Sequence, residues 1–364
     1  MTSGERVAVL GTGLIGTSIA LAARRAGQPV RGFDADPGVL AVAAERGGLE
    51  PAQSLSACVR GADLVFVCTP VPAIAALSAQ ALGVEPGAIV TDVGSVKAHV
   101  VADLEASCAP DELARFVGGH PMAGSERAGP QWAAAGILDG AVWVLAPSPS
   151  TAASAVETVE AWVTRIGARP LRLDPERHDR LVAVVSHLPQ IASTGLMGLA
   201  AAEEAGEPDL LLLAAGGFRD LTRLAASSSR LWSDILLANR EAVAEAIDLY
   251  LKRLAEVRDM VLAGSADQVE ATFREAKAAR LSLTAKPKVR TGVGVIQVPV
   301  PDRPGALADV TAALGAAGVN IEDLQIVHSP EGGRGTVHLT IAAPELEAAA
   351  RALETEGFEP VQVA

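Results

Sequence analysis

The sequence predicts an α/β protein that opens with a doubly wound parallel sheet, continues as an all-helical region and ends in a small β-α-β-β-α-β unit. Three observations carry that prediction. Short apolar runs alternate with helical patterns from residue 6 to about residue 173. Helical spacing alone then fills 176–283. After a basic, proline-bearing stretch at 284–291, strand and helix patterns alternate again to the end of the chain.

Taken in order, residues 7–10 read Val-Ala-Val-Leu, without the polar alternation of a half-exposed strand, so both faces are expected to be covered. The strand runs into Gly11-Thr12-Gly13-Leu14-Ile15-Gly16 and then a helical pattern. Gly11 suits a tight turn, Gly13 a close approach of backbone to a pyrophosphate, and Gly16 tight packing of helix on strand. The helix N-terminus offers free N–H groups to phosphate. A second strand at 30–33 ends in Asp34, eighteen residues beyond Gly16. A carboxylate there accepts from ribose hydroxyls and repels a 2′-phosphate, which favours NAD over NADP. The strand at 64–68 ends in Thr69-Pro70, and ligands of such sheets sit beyond the carboxyl ends of the strands. The expected NAD set is therefore Gly11, Gly13, Leu14, Ile15, Gly16, Asp34, Thr69 and Pro70.

Strands at 88–92, 115–119 and 141–145 follow, the last expected to close the sheet, with a helix over 152–166 and a strand over 169–173. The first domain is placed at 1–174. Helical spacing over 176–204, 208–226, 229–263 and 266–283 makes 175–283 a helical domain with helices long enough to mediate dimerisation. A linker at 284–291 leads to 292–364, whose pattern is ferredoxin-like.

Composition narrows the class. A chain of 364 residues forms two or three domains, and a net charge of -13 argues against nucleic acid or anionic membranes as partners. Cys58, Cys68 and Cys108 have no metal-binding spacing and read as reduced thiols. No signal-peptide pattern opens the chain, and its apolar stretches are expected to fall short of a membrane span, so a cytoplasmic enzyme is expected.

Six histidines limit the acid–base groups. His99 lies on a helix, and His328 and His338 belong to the last domain, leaving His120, His178 and His187. His120 is expected on a Gly-Gly-His-Pro turn just after a strand, facing the cofactor cleft. His178 reads as more exposed and ranks lower. His187 and Gln190 are three apart on an otherwise apolar helix and share a face. Trp232 is expected to pack beneath the site.

Four motifs, Gly94-Ser95-Val96-Lys97, Gly119-His120-Pro121-Met122-Ala123-Gly124-Ser125-Glu126, Ser186-His187-Leu188-Pro189 and Gly217-Phe218-Arg219-Asp220-Leu221-Thr222-Arg223, resemble the prephenate dehydrogenase family of tyrosine biosynthesis. Asp302-Arg303-Pro304-Gly305-Ala306-Leu307 and Gly318-Val319-Asn320-Ile321 resemble an ACT regulatory domain. The resemblance implies a Rossmann-type domain, a helical dimerisation domain and a homodimer. It also implies NAD-dependent oxidative decarboxylation of prephenate to 4-hydroxyphenylpyruvate. His120 would then be the general base, held by Ser95. Arg223 matches the family's substrate-binding arginine, and Arg219, four residues earlier, would share its face if the segment is helical. Ser125, Glu126, His187 and Gln190 complete the expected substrate set. Restored aromaticity drives the reaction without a Lewis acid, so no metal is expected. Tyrosine is the expected effector, at Arg303, Gly305 and Asn320.

Gln190 tilts the reading toward prephenate, since a neutral amide suits a keto acid and a carboxylate would favour the ammonium of arogenate. An arogenate dehydrogenase is the first alternative. Dehydrogenases of the 3-hydroxyacid or 6-phosphogluconate type carry a catalytic lysine in the helical domain, where this chain offers His187 and Arg223. A non-enzymatic module sensing NAD and an amino acid would bind both without turnover.

Overall fold

Alternate residues of β1 (Val7–Leu10) bury themselves on opposite sides of a sheet: Val7 and Val9 join one apolar cluster, Ala8 and Leu10 another. That is why the strand lacks polar alternation. The computed structural model describes residues 5–124, 127–204, 206–207, 209–284, 293–301, 303–328 and 334–363. The chain divides into two units, Met1–Leu199 with Thr222–Tyr250, and Ala200–Leu221 with Leu251–Ala364.

In the first unit β1 is joined by β2 (Val30–Phe33), β3 (Glu50–Pro51), β4 (Leu64–Val67), β5 (Ile89–Asp92), β6 (Phe116–Pro121), β7 (Val142–Ala146) and β8 (Arg169–Arg172). They form one sheet in the order β3-β2-β1-β4-β5-β6-β7-β8. Helices α1 (Leu14–Arg25), α2 (Pro37–Gly47), α3 (Leu55–Val59), α4 (Val71–Val84), α5 (Ala98–Ser107), α6 (Pro110–Leu113) and α7 (Ala153–Arg165) lie between the strands in sequence. The sheet departs from the expected parallel pattern at one pair. β7 runs antiparallel to β6, with His120 opposite Val144. A parallel pair needs a crossover element, whereas among its described residues the β6–β7 connection holds only the 3₁₀ turns Pro130–Trp132 and Ala135–Leu138. β8, parallel to β7, closes the sheet in its place.

Asp174 caps α8 (Pro175–Val182) by accepting from Arg177 N at 2.7 Å. A π-helical turn, Ala183–His187, joins α8 to α9 (Leu188–Glu203) in one helical run. By length and composition that run, Pro175–Glu203, is apolar enough to cross a membrane, contrary to the expectation from sequence. Its polar groups His178, Asp179, His187 and Gln190 are nonetheless buried inside the protein. The stretch 208–226 is broken rather than one helix, comprising a 3₁₀ turn at Leu211–Leu213, α10 (Gly216–Thr222) and a 3₁₀ turn at Arg223–Ala226. The expected helix over 229–263 splits into α11 (Ser229–Ala238) and α12 (Arg240–Leu262). Asn239 occupies the break because its amide turns inward to donate to Asp179 O at 2.9 Å.

The second unit holds α13 (Ala266–Thr284) and the C-terminal β-α-β-β-α-β unit. There β9 (Val293–Pro301), β10 (Ile321–His328), β11 (Arg334–Ala342) and β12 (Val361–Val363) make an antiparallel sheet in the order β10-β11-β9-β12. Helices α14 (Ala306–Ala316) and α15 (Leu346–Thr355) cover it, burying Ile296, Val310, Leu314, Leu339 and Leu353.

Candidate active site

The glycine turn between β1 and α1 is shaped for a ligand. Gly11 has φ +89°, and a Cβ there would lie 2.6 Å from the Cys68 carbonyl oxygen. At Gly16 a Cβ would stand 2.0 Å from the Gly11 carbonyl oxygen. Gly13, by contrast, starts α1 and faces open space, with nothing within 4 Å of a Cβ placed on it. Two glycines fit the turn together and the third leaves the helix N-terminus approachable. Leu14 and Ile15 open α1, and Pro70 caps the start of α4. Asp34 accepts from Thr12 N at 2.7 Å and from the Thr12 hydroxyl at 3.2 Å, which holds its carboxylate beside the turn. Thr69 has a hydroxyl that is buried with no partner among the described residues. An orphaned hydroxyl beside an open phosphate-type cradle fits a bound dinucleotide.

His120 lies within β6 rather than on a turn after it. The residue before it is clamped on both sides. Gly119 N donates to Asp92 Oδ1 at 3.0 Å, and Gly119 O accepts from Lys97 Nζ at 2.8 Å. Lys97 and Asp92 also pair directly, both side chains wholly buried. Burial pulls the Lys97 ammonium below its usual range, opposed by the Asp92 carboxylate.

The imidazole's partner is a correction to the sequence reading. His120 Nδ1 lies 2.8 Å from His178 Nε2, because α8 carries His178 into the interior, and Ser95 makes no hydrogen bond to it. His178 is fully buried, not exposed. Its Nδ1 lies 2.7 Å from Asp179 Oδ1, and the Asp179 carboxylate also accepts from Lys97 N at 2.8 Å and Ala98 N at 2.9 Å. His120 Nε2 has no hydrogen-bond partner among the described residues. Burial holds the His120 imidazole well below the usual histidine range, and nearby His178, Lys97 and His187 push it the same way.

His187 closes the π turn and Gln190 follows in α9, both buried. His187 Nδ1 lies 3.2 Å from the Asn239 amide nitrogen, which can only donate, so the imidazole proton sits on Nε2. That Nε2 is buried without a partner among the described residues, and so is Gln190 Oε1. Gln190 Nε2 is occupied by Leu224 O at 2.8 Å. Burial lowers His187 to about 4. Trp232 stands edge-on to it, ring centres 6.1 Å apart.

Arg219 lies in α10, donating to Ala214 O at 3.2 Å, and Arg223 opens the following 3₁₀ turn, so no single regular helix carries both. Ser125 and Glu126 lie outside the described residues. In the C-terminal unit Arg303 borders a cavity of about 820 Å³ with Asp309, Phe358 and Glu359, and pairs with Asp309 at 2.9 Å. Gly305, at φ +90°, starts α14 beside it. Asn320 follows the far end of that helix, bonded to Glu322 at 2.5 Å, so one chain does not bring it to Arg303.

Sequence reasoning ranked His178 below the other two candidate histidines and missed Asp179, Lys97, Asp92 and Asn239 as site residues. A signal for two of them exists: 175, 178, 179 and 182 share one face of α8, and all four are buried.

Comparison with known proteins agrees with this architecture. Residues 19–171 match the prephenate dehydrogenase nucleotide-binding domain, 174–275 the prephenate dehydrogenase dimerization domain and 294–358 the ACT domain. The prephenate dehydrogenase of Bacillus subtilis is 31% identical over 347 residues, covering 94% of this chain and 93% of its own. A crystal structure of prephenate dehydrogenase from A. aeolicus, in complex with hydroxyphenyl propionate and NAD+, superposes with a TM-score of 0.72 at 30% identity. That match covers 77% of this chain and 99% of the other. Synechocystis arogenate dehydrogenase gives a TM-score of 0.66 at 28% identity, covering 76% and 98%.

Proposed function

This chain belongs to the prephenate dehydrogenase family, and on that premise we propose that it catalyses the NAD-dependent oxidative decarboxylation of prephenate to 4-hydroxyphenylpyruvate. The observation that carries the reading is His120, buried in β6 with Nδ1 engaged and Nε2 unengaged among the described residues. A neutral imidazole so held accepts the proton of a substrate hydroxyl as hydride leaves the carbon bearing it. NAD, when bound at the Gly11–Gly16 turn, supplies the hydride acceptor. Loss of the ring carboxylate as carbon dioxide restores aromaticity, and the ring oxygen recovers its proton. The buried His187 Nε2–H is a donor suited to a substrate carboxylate, and Arg223 a cation for the same dianion. Arg219, Ser125 and Glu126 stay in the proposed substrate set, with Ser95 near the nicotinamide. In the cytoplasm the enzyme works as a homodimer in this reading, supported by exposed Leu199, Leu237 and Leu249 on the helices. Tyrosine is the proposed effector, at the cavity beside Arg303.

A second reading, turnover of arogenate, has its own observation. Gln190 Oε1 is an acceptor with no donor among the described residues, and an ammonium would supply one. Gln190→Asp is expected to raise activity on arogenate relative to prephenate; an unchanged ratio removes Gln190 from substrate choice.

NADH absorbance with NAD and either substrate, each with and without tyrosine, tests the whole. Prephenate turnover suppressed by tyrosine supports both assignments. Turnover with arogenate alone keeps the chemistry and moves the substrate, and no turnover with either overturns the proposal.

A further inference from the structure

Three side chains from two elements stand in a row behind the reacting face: His120 on β6, then His178 and Asp179 on α8. With His178 neutral, hydrogen-bond polarity along the row follows from its far end. A carboxylate only accepts, so the 2.7 Å contact makes His178 Nδ1 the donor to Asp179. A neutral imidazole protonated at Nδ1 presents a lone pair at Nε2. His178 Nε2 therefore accepts, and His120 Nδ1 donates to it across 2.8 Å. His120 is left with its own lone pair at Nε2.

The row is anchored rather than incidental. The backbone N–H groups of Lys97 and Ala98, at the start of α5, donate to the two Asp179 oxygens at 2.8 and 2.9 Å. Asn239 donates to the Asp179 carbonyl at 2.9 Å. All three side chains are buried, so water competes with none of these bonds.

We propose that His178 and Asp179 are a positioning pair for His120, fixing it in the tautomer that accepts at Nε2 and storing its Nδ1 proton while the substrate oxygen is deprotonated. The proposal rests on the reading of His120 as the base. The hydroxyl proton moves to His120 Nε2 as the Nδ1 proton moves to His178 Nε2. His120 stays neutral, and the positive charge sits on His178, against the Asp179 carboxylate. After carbon dioxide leaves, the two transfers reverse and the phenol oxygen is protonated, with no net proton lost. The charge is thus kept off His120, where the buried Lys97 ammonium, held against Asp92 and Gly119 O, would oppose it. His187, lowered to about 4 by burial, is neutral at pH 7 and opposes charge on His120 only where it is itself protonated.

Two variants separate positioning from storage. His178→Gln keeps an acceptor for His120 Nδ1–H but holds no proton, and is expected to lower kcat about 100-fold with KM near that of the parent. His178→Leu removes the acceptor too and should fall further. In mixtures of H2O and D2O the parent should show a curved dependence of kcat, from two protons in flight, and His178→Gln a linear one. Nitrogen-15 NMR of histidine-labelled full-length protein with NAD reports the tautomers without any turnover. His120 protonated at Nδ1 supports the pair; His120 protonated at Nε2 overturns it whatever the substrate. Loss of turnover by the parent on both substrates would sink the functional reading instead. A His178→Gln enzyme with parental kcat and a parental isotope dependence would overturn the storage role.

Discussion

Lys97 and Asp92 form an ion pair in which neither side chain meets solvent, and both reach the backbone of Gly119, the residue before His120. The pair ties the end of β5 to β6 at the position where the imidazole must be held. Removing one partner leaves a buried charge uncompensated. Lys97→Met is therefore expected to cost about 3–5 kcal/mol of stability. It should also lower kcat, because Gly119 loses an anchor. Urea denaturation checks the first effect, and a parental midpoint would refute it.

Asp34 is bound to the glycine turn through Thr12, so its replacement acts twice. Asp34→Ser removes charged hydrogen bonds to the ribose and loosens the turn. NAD binding is expected to weaken about 10- to 100-fold, the equivalent of about 1.4–2.7 kcal/mol. With the repulsion of a 2′-phosphate gone, NADP should bind better than it does to the parent. Fluorescence titration with both cofactors measures the ratio; no change in it would remove Asp34 from cofactor choice.

Acid sensitivity follows from the buried histidines. Burial lowers His187 to about 4 from an ordinary 6.5, and lowers His120 in the same direction. Between those values the unfolded chain binds protons that the folded chain refuses. Stability is then fully present above about pH 6.5 and falls with pH by about 1.4 kcal/mol per unit for each such histidine. Denaturation midpoints at stepped pH test this, and a flat profile below pH 6.5 would contradict it.

Arg223 offers a forked cation that lysine cannot reproduce. Arg223→Lys is expected to raise KM for prephenate about 10-fold or more, with a smaller effect on kcat, as one of two parallel hydrogen bonds is lost. Steady-state kinetics decide it. A kcat loss with unchanged KM would place Arg223 in the chemistry instead of in binding.

What could be read from the sequence was whatever a few neighbouring residues determine by themselves. Gly11, Gly13 and Gly16 define a turn within six residues, and Asp34 follows at the next strand end. His120 stood out through the motif around it. The partner of His120 did not, because His178 comes from a helix 58 residues later and its burial depends on how that helix docks. Lys97 reads only as the end of its motif, and its burial shows once Asp92 and Gly119 are seen around it. The reversal of β7 was hidden for another reason: apolar strands look alike in either direction, and only the absence of a crossover helix tells them apart. Asn239 broke a helix that periodicity alone had continued, because its amide is needed at Asp179.

The π turn at Ala183–His187 gives this region slack in chain length. It holds one more residue per turn than the helices on either side, and two of its members, Val184 and Val185, face outward. By exposure alone either valine should tolerate almost any change. Deletion is absorbed there too. Losing Val184 or Val185 would let the run close into a regular helix, and because the wide turn already takes up one extra residue, α9 would keep its facing. The same loss from a regular turn of α8 would instead rotate all that follows by about 100°, carrying Gln190 and Ser193 away from their places. The wide turn is thus the point in this helical run where chain length can change without turning the face that lines the site.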